Sequence, residues 1–212
     1  MKDYLIFSLI IVLLLGGCAG LENRENITEV CFVYWNGANE VVDVCVSSGK
    51  REDPYIQDGQ VGNLVDYTLI CVTPLTNKIL DSNCTAFIDG KEYCIELQKS
   101  PYQNTYACDL GISTDKKAKI NIKLSFNGES QTINLENLSD SFEIDYREAI
   151  KIFYTQFLDV KVSKEGGELY CKVIASPLHS NLRFWYVRLL YESGEDRVCV
   201  IDPQTGKVLA HK

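Results

Sequence analysis

Asp145-Tyr146-Arg147-Glu148-Ala149-Ile150-Lys151-Ile152-Phe153-Tyr154-Thr155-Gln156-Phe157 is the stretch on which the reading of the fold turns. Tyr146, Ala149, Ile150, Phe153 and Phe157 recur at three- and four-residue spacing, the apolar stripe of an amphipathic helix. Asp145 followed by Glu148 reads as a capping box, since an Asp oxygen and a Glu carboxylate can satisfy opposite orphan amides. The spacing predicts that this helix ends near Leu158.

The period differs on both sides of the helix. From Ile27 to about Leu138 the chain reads as short strands: Glu29–Trp35, Val41–Val46, Tyr67–Thr73, Thr85–Ile88, Glu92–Leu97, Thr105–Leu110, Ala118–Phe126 and Ser130–Leu135. Asn36-Gly37, Asp89-Gly90 and Asn127-Gly128 mark tight turns, because these dipeptides tolerate positive φ. The stretch Ser48 to Val61 reads as an irregular loop. Many short strands at this spacing predict an all-β sandwich. Tyr106-Ala107-Cys108 resembles the Tyr-x-Cys of an immunoglobulin-type tyrosine corner, with Cys71 as the partner on an earlier strand. After the helix come three more strands, Leu169–Ala175, Leu182–Tyr191 and Arg197–Ile201. The expected fold is therefore an immunoglobulin-like β-sandwich domain over 27–138, followed by a small α+β domain over 139–212, one helix packed on an antiparallel sheet.

The N-terminus sets the compartment. Met1-Lys2-Asp3-Tyr4 precedes the apolar run Leu5 to Leu15, which is shorter than the roughly 18–20 residues that span a bilayer. It ends in Leu15-Gly16-Gly17-Cys18, which looks like a lipobox, so 1–17 reads as a signal peptide and Cys18 as the lipidated residue. Residues 18–26 form a polar tether. A diacylglyceryl group brings two chains, which suits stable anchoring to the extracytoplasmic face of a membrane.

Of nine cysteines, eight remain when Cys18 is set aside, and an even number in an exported chain reads as a disulfide framework. A metal centre is not expected, because there is no Cys-x-x-Cys pair and there are only two histidines, His179 and His211. Eight cysteines allow on the order of 100 pairings. A three-residue loop Ile88-Asp89-Gly90 would set Cys84 against Cys94 and predicts that bridge, whereas a two-residue Asp89-Gly90 loop would turn the two thiols to opposite faces. Cys31–Cys45, Cys71–Cys108 and Cys171–Cys199 complete the expected set.

The C-terminal third resembles a known family. Arg147-Glu148-Ala149-Ile150, Trp185-Tyr186-Val187 and the ending Val200-Ile201-Asp202-Pro203-Gln204-Thr205-Gly206-Lys207-Val208-Leu209 are similar to the PepSY domain over about Phe142 to Leu209. The resemblance implies a small extracytoplasmic module, often membrane-attached, associated with inhibiting or regulating peptidases. None of the matched residues is catalytic. Asp202 is suited to accept from nearby amides, Gly206 to take a left-handed conformation, and Trp185, Val187 and Leu189 to face a core.

A net charge of −8 with no basic cluster argues against nucleic acid, and 46% hydrophobic residues exclude a disordered chain. No Gly-x-Ser-x-Gly, His-Glu-x-x-His, Walker loop or Gly-x-Gly-x-x-Gly occurs, so neither an enzyme nor a cofactor is expected. Sequons stand at Asn26, Asn83 and Asn137. The functional expectation is a lipid-anchored, non-catalytic binding or regulatory module that meets an extracytoplasmic protein partner. Its alternative is a cell-surface adhesion or envelope-structure protein with the β-sandwich as the contact domain.

Overall fold

A computed structural model describes residues 26–101, 103–157, 167–176 and 182–212. The signal peptide, the tether, Cys18 and His179 lie outside the described residues. The elements are β1 (Ile27–Ala38), β2 (Val42–Asp53), β3 (Asn63–Pro74), β4 (Asn83–Ile88), β5 (Lys91–Glu96), β6 (Gln98–Lys99), β7 (Tyr106–Asp109), β8 (Ile120–Phe126) and β9 (Glu129–Asn137). A 3₁₀ turn (Leu138–Ser141), α1 (Tyr146–Gln156), β10 (Glu168–Ala175), β11 (Arg183–Leu190), β12 (Asp196–Ile201) and β13 (Val208–His211) follow.

Strand pairing joins all thirteen strands into one network, and β1 is its hub. Along one edge β1 pairs with β2 over its whole length. The other edge is divided. Ile27 to Val30 pairs in parallel with β10, and Trp35 and Asn36 pair antiparallel with β9. The order β5-β4-β8-β9-β1-β2-β3-β7-β6 is antiparallel throughout. Only Leu97 separates β5 from β6, so this path is a nearly closed barrel. Its interior holds Trp35, Val44, Ile70, Ile122, Leu124 and Phe126.

The other path, β1-β10-β11-β12-β13, carries α1 on one face. An isolated helix of this length is marginal in water, so its stability comes from burying Ala149, Ile150 and Phe153 completely, at roughly 1.5–3 kcal/mol for each large apolar side chain. Asp145 caps α1, its Oδ1 accepting from the amides of Arg147 at 2.9 Å and Glu148 at 3.0 Å. Glu148 does not return the cap; its carboxylate takes Lys151 Nζ at 3.2 Å. The Trp185 indole donates to the Ile144 carbonyl at 2.8 Å.

The immunoglobulin-like sandwich followed by a separate α+β unit is thus corrected to a barrel-like sheet that runs on into the helix-bearing strands. The reason lies in one bulge. Cys31 faces Gly49 and Val33 faces Ser48, so Phe32 is an extra residue in β1. Without it Cys31, Val33 and Trp35 would share a face. With it, Val30, Cys31 and Tyr34 enter the helix-side core while Val33 and Trp35 enter the barrel. Gly49 is fitted to the bulge, since a Cβ there would stand 1.9 Å from the Val30 carbonyl oxygen.

The turns show a second correction. Asp89-Gly90 and Asn127-Gly128 are tight turns with positive φ, as read. Asn36-Gly37 is not a turn but lies inside β1. Glycine stands at 37 because β9 passes so closely that a Cβ would meet the Asn134 oxygen. The loop expected over Ser48–Val61 begins only after Asp53, where β2 ends.

The expected boundary near Leu138 coincides with the 3₁₀ turn, yet the sheet crosses it through β1 and β10, and Tyr34 N donates to Ser139 Oγ at 2.7 Å. A fragment of residues 139–212 lacks the β1 side chains that complete the helix-side core. Its thermal melt, followed by circular dichroism, is expected to be broad and non-cooperative; a sharp transition matching part of the full chain would contradict the shared sheet.

Candidate functional site

Two features stand on opposite faces of the sheet around β1. On the α1 side the helix covers β10, β11 and β12 but leaves part of β1, β2 and β3 open. A groove of about 700 Å³ results. Its floor is Ile27, Val30, Phe32 and Val33 of β1, and its walls are Leu64 of β3 with Phe142, Ile144 and Tyr146. Phe32 and Tyr146 rings meet at 5.0 Å, and Phe142 leans edge-on against Trp185 at 5.7 Å, so the apolar walls are braced from behind. Lys50, Lys116 and Arg147 reach the rim along with Asp140 and Asp145. On a chain of net charge −8 this rim has more cations than anions. A concave apolar surface with a few polar groups at its edge is the usual form of a binding site.

The opposite face carries a buried polar layer closed over by the segment between β2 and β3. Glu29 and Glu168 are 6% and 0% exposed, and Glu52 at the end of β2 is 3% exposed. The covering segment binds all three carboxylates. Tyr55 OH donates to Glu29 Oε2 at 2.7 Å, and Gly59 N donates to Glu168 Oε2 at 2.7 Å. The amides of Ile56 and Gly62 donate to Glu52 at 3.2 and 3.0 Å. Gly59 has φ +84, and a Cβ on it would meet the backbone of Glu192 at 2.5 Å.

Charge balance in this layer is incomplete. Lys172 Nζ bonds Glu29 Oε2 at 2.6 Å and Tyr55 OH at 3.0 Å. Burial works against the Lys172 charge, but Glu29 and Tyr55 outweigh it and raise its pKa. Glu52 and Glu168 share no cation. Burial raises the Glu52 carboxyl above its usual range, and the Glu168 carboxyl beside it adds to the rise. Glu52 therefore holds a proton more readily than a free carboxyl does, and it is the group in this layer whose charge answers to pH. The Tyr170 hydroxyl is buried beside Glu168, and burial together with that carboxylate pushes it up. None of the three principal cavities is lined by either glutamate. The layer fastens the covering segment to the sheet.

The cysteines fall differently from the expected pairs. The connection after β4 is the two-residue Asp89-Gly90 turn, with Ile88 opposite Lys91. Cys84 therefore faces Ile95 and Thr85 faces Cys94, so Cys84 points into the barrel and Cys94 outward. Cys171 and Cys199 both stand opposite Val187, one on each side, about 10 Å apart and beyond disulfide reach. Cys108 pairs with Ile70, one residue out of register from Cys71 and on the other face. Cys31 pairs with Gly49 while Cys45 pairs with Asn36, several residues further along the ladder. The eight described cysteines are unbridged in this structure. Cys108 lies near enough to Cys84 to reinforce the burial that pushes that thiol up to about 12.

In the C-terminal third, Gly206 is left-handed at φ +69 and its amide bonds the Asp202 carbonyl at 2.9 Å. Trp185, Val187 and Leu189 are buried in the helix-side core. Among the described residues no three of His, Cys, Asp and Glu are grouped to hold a metal ion, and no helix is long and apolar enough to cross a membrane. No protein-family model, curated protein or solved structure matches the chain. Sequence reading missed both the groove and the carboxylate layer. The strand period shows which residues share a face, but not which segment covers that face.

The carboxylate pair has a signature in stability. Because the Glu52 pKa is raised in the folded state, its contribution is fully present below the unfolded value of about 4.3 and is lost as pH rises through the folded value. Glu168→Gln keeps an oxygen for Gly59 N and turns an amide donor towards Glu52. Relative to the wild type, Glu168→Gln is expected to melt more favourably at about pH 8 than at about pH 4, by on the order of 1 kcal/mol. An equal difference at both pH values would refute the raised Glu52 carboxyl.

Proposed function

We propose that the chain is an exported lipoprotein that acts as a non-catalytic binding and regulatory module, with the groove between β1 and the start of α1 as its contact surface. The groove is the single observation that carries this reading. It joins an apolar floor to a rim richer in cations than in anions, and Tyr146 and Arg147 belong both to it and to the stretch that resembles a PepSY domain. The occupant that suits it is an apolar segment with acidic flanks on an extracytoplasmic protein. The resemblance makes a peptidase the leading class of partner, held or inhibited at the membrane surface. Anchoring through Cys18 places the groove on the extracytoplasmic side and raises the local concentration of membrane-bound partners.

A second reading, adhesion or envelope structure through the barrel, is favoured by Leu75 and Ile79. These side chains are 55% and 72% exposed just after β3 and before β4, a place where a contact surface could form.

Mass spectrometry of the membrane-extracted protein is expected to show a hydrophobic adduct on a peptide that begins at Cys18. A mature chain starting elsewhere with unmodified Cys18 would remove the anchor from the proposal.

A photoreactive residue at position 116, in the membrane-anchored protein, is expected to capture one defined extracytoplasmic protein, whereas the same group at position 91 captures none. The purified partner should then bind Arg147→Glu about tenfold or more weakly than the wild type, roughly 1.4 kcal/mol. Unchanged affinity, or capture from position 91 alone, would move the contact away from the groove, and capture near Ile79 would favour the second reading.

A further inference from the structure

The four expected bridges leave one juxtaposition unused. Cys45 of β2 and Cys71 of β3 are direct partners across the antiparallel ladder. Such partners have Cα atoms about 4.5–5.5 Å apart, inside the range of about 4.4–6.8 Å that a disulfide spans. Both side chains are half-buried on the outer face of the barrel, since Val44, Val46, Ile70 and Val72 on either side of them fill its interior. No other pair of described cysteines is set directly opposite in the register.

The surroundings are polar and fixed. Arg183, at the start of β11, donates from Nε to Tyr34 OH at 3.1 Å and from Nη2 to Asn36 Oδ1 at 3.0 Å. Its guanidinium also stands 3.7 Å from Asp43. Asn36, which Arg183 holds, is the register partner of Cys45 on β1. The two sulfurs are therefore not equivalent, because Cys45 stands opposite Asn36 of this cluster whereas Cys71 stands opposite Ala107 of β7.

We propose that Cys45 and Cys71 form a cross-strand dithiol–disulfide site, with Cys45 as the entering sulfur and a disulfide-bearing molecule as the oxidant. Hydrogen bonding from the Cys71 thiol, helped by Tyr34 and Arg183, holds Cys45 below the usual thiol range against the burial that would raise it. The same contact, with burial, pushes Cys71 up. Cys45 thiolate attacks one sulfur of the donor disulfide, forming a mixed disulfide and releasing the first donor thiolate. Cys71 then loses its proton and attacks the Cys45 sulfur, forming the Cys45–Cys71 bond and releasing the second. Two protein thiols give up two electrons and two protons, and the donor disulfide leaves as two thiols. The bond would tie β2 to β3 on the outside of the barrel, beside the Arg183 cluster. This site is independent of the groove and of any partner bound there.

The full-length protein, incubated with oxidised glutathione, quenched by alkylation and mapped without reduction, is expected to yield joined peptides containing Cys45 and Cys71. Cys45 joined to any other cysteine, or both residues recovered alkylated, overturns the site. Cys71→Ser should accumulate glutathione on Cys45 at least about tenfold faster than Cys45→Ser does on Cys71. Limited iodoacetamide labelling of the reduced wild type checks the same order without a variant and should mark Cys45 first. Equal or reversed rates in either measurement overturn Cys45 as the entering sulfur.

Discussion

A backbone strand has two hydrogen-bonding edges, and in this protein the second edge of β1 serves two neighbours. It pairs with β10 up to Val30 and with β9 from Trp35, with Cys31 to Tyr34 between the two. Buried amides and carbonyls must be paired, which makes this division a constraint on everything joined to β1. The Phe32 bulge completes the arrangement by turning the side chains that follow it to the opposite face. One strand thus supplies Tyr34 to the helix-side core and Trp35 to the barrel, although the two residues are adjacent in sequence.

The two faces of this shared sheet are finished by different means. On one face α1 contributes an apolar stripe, and because its single stripe is narrower than the sheet, a groove remains beside it. On the other face no helix is available. A loop covers that side, and a loop carries unpaired backbone amides that need acceptors. The carboxylates of Glu52 and Glu168 provide them, and Glu29 takes the Tyr55 hydroxyl of the same loop. Carboxylates are effective acceptors for amides, and among the described residues the ion pair made by these three is that of Glu29 with Lys172. Burying such groups is costly unless a proton or a cation answers them, and burial accordingly raises the Glu52 carboxyl.

Much of the local structure was legible in the residues. Eleven strands and the helix follow from period-two and three-to-four patterning, because face alternation is a property of the chain itself. Asp89-Gly90, Asn127-Gly128, the Asp145 cap and the Asp202 to Gly206 turn also follow, since each depends on the φ preference or hydrogen-bonding reach of residues a few positions apart. The short strands β6 and β13 were not legible, because a few residues at an edge bear little pattern. The Cys84–Cys94 expectation was lost by one residue of loop length, which in a strand reverses every side chain.

The sequence by itself determined where the chain is extended, where it turns and where it is helical, because these are decided within a few residues. It also framed the expectation of export and of a lipid on Cys18. Only the tertiary structure decided that the strands close towards a barrel and that β1 belongs to both halves. It alone placed Cys45 opposite Cys71 and brought Glu52 of β2 beside Glu168 of β10. Gly37 and Gly49 show why. Each reads locally as a turn residue or a weak point in a strand, yet each is glycine because a distant segment passes within van der Waals distance of its Cα. Contacts of that kind depend on which strands become neighbours, and strand order is set by packing between segments far apart in the chain, not by the period within any one of them.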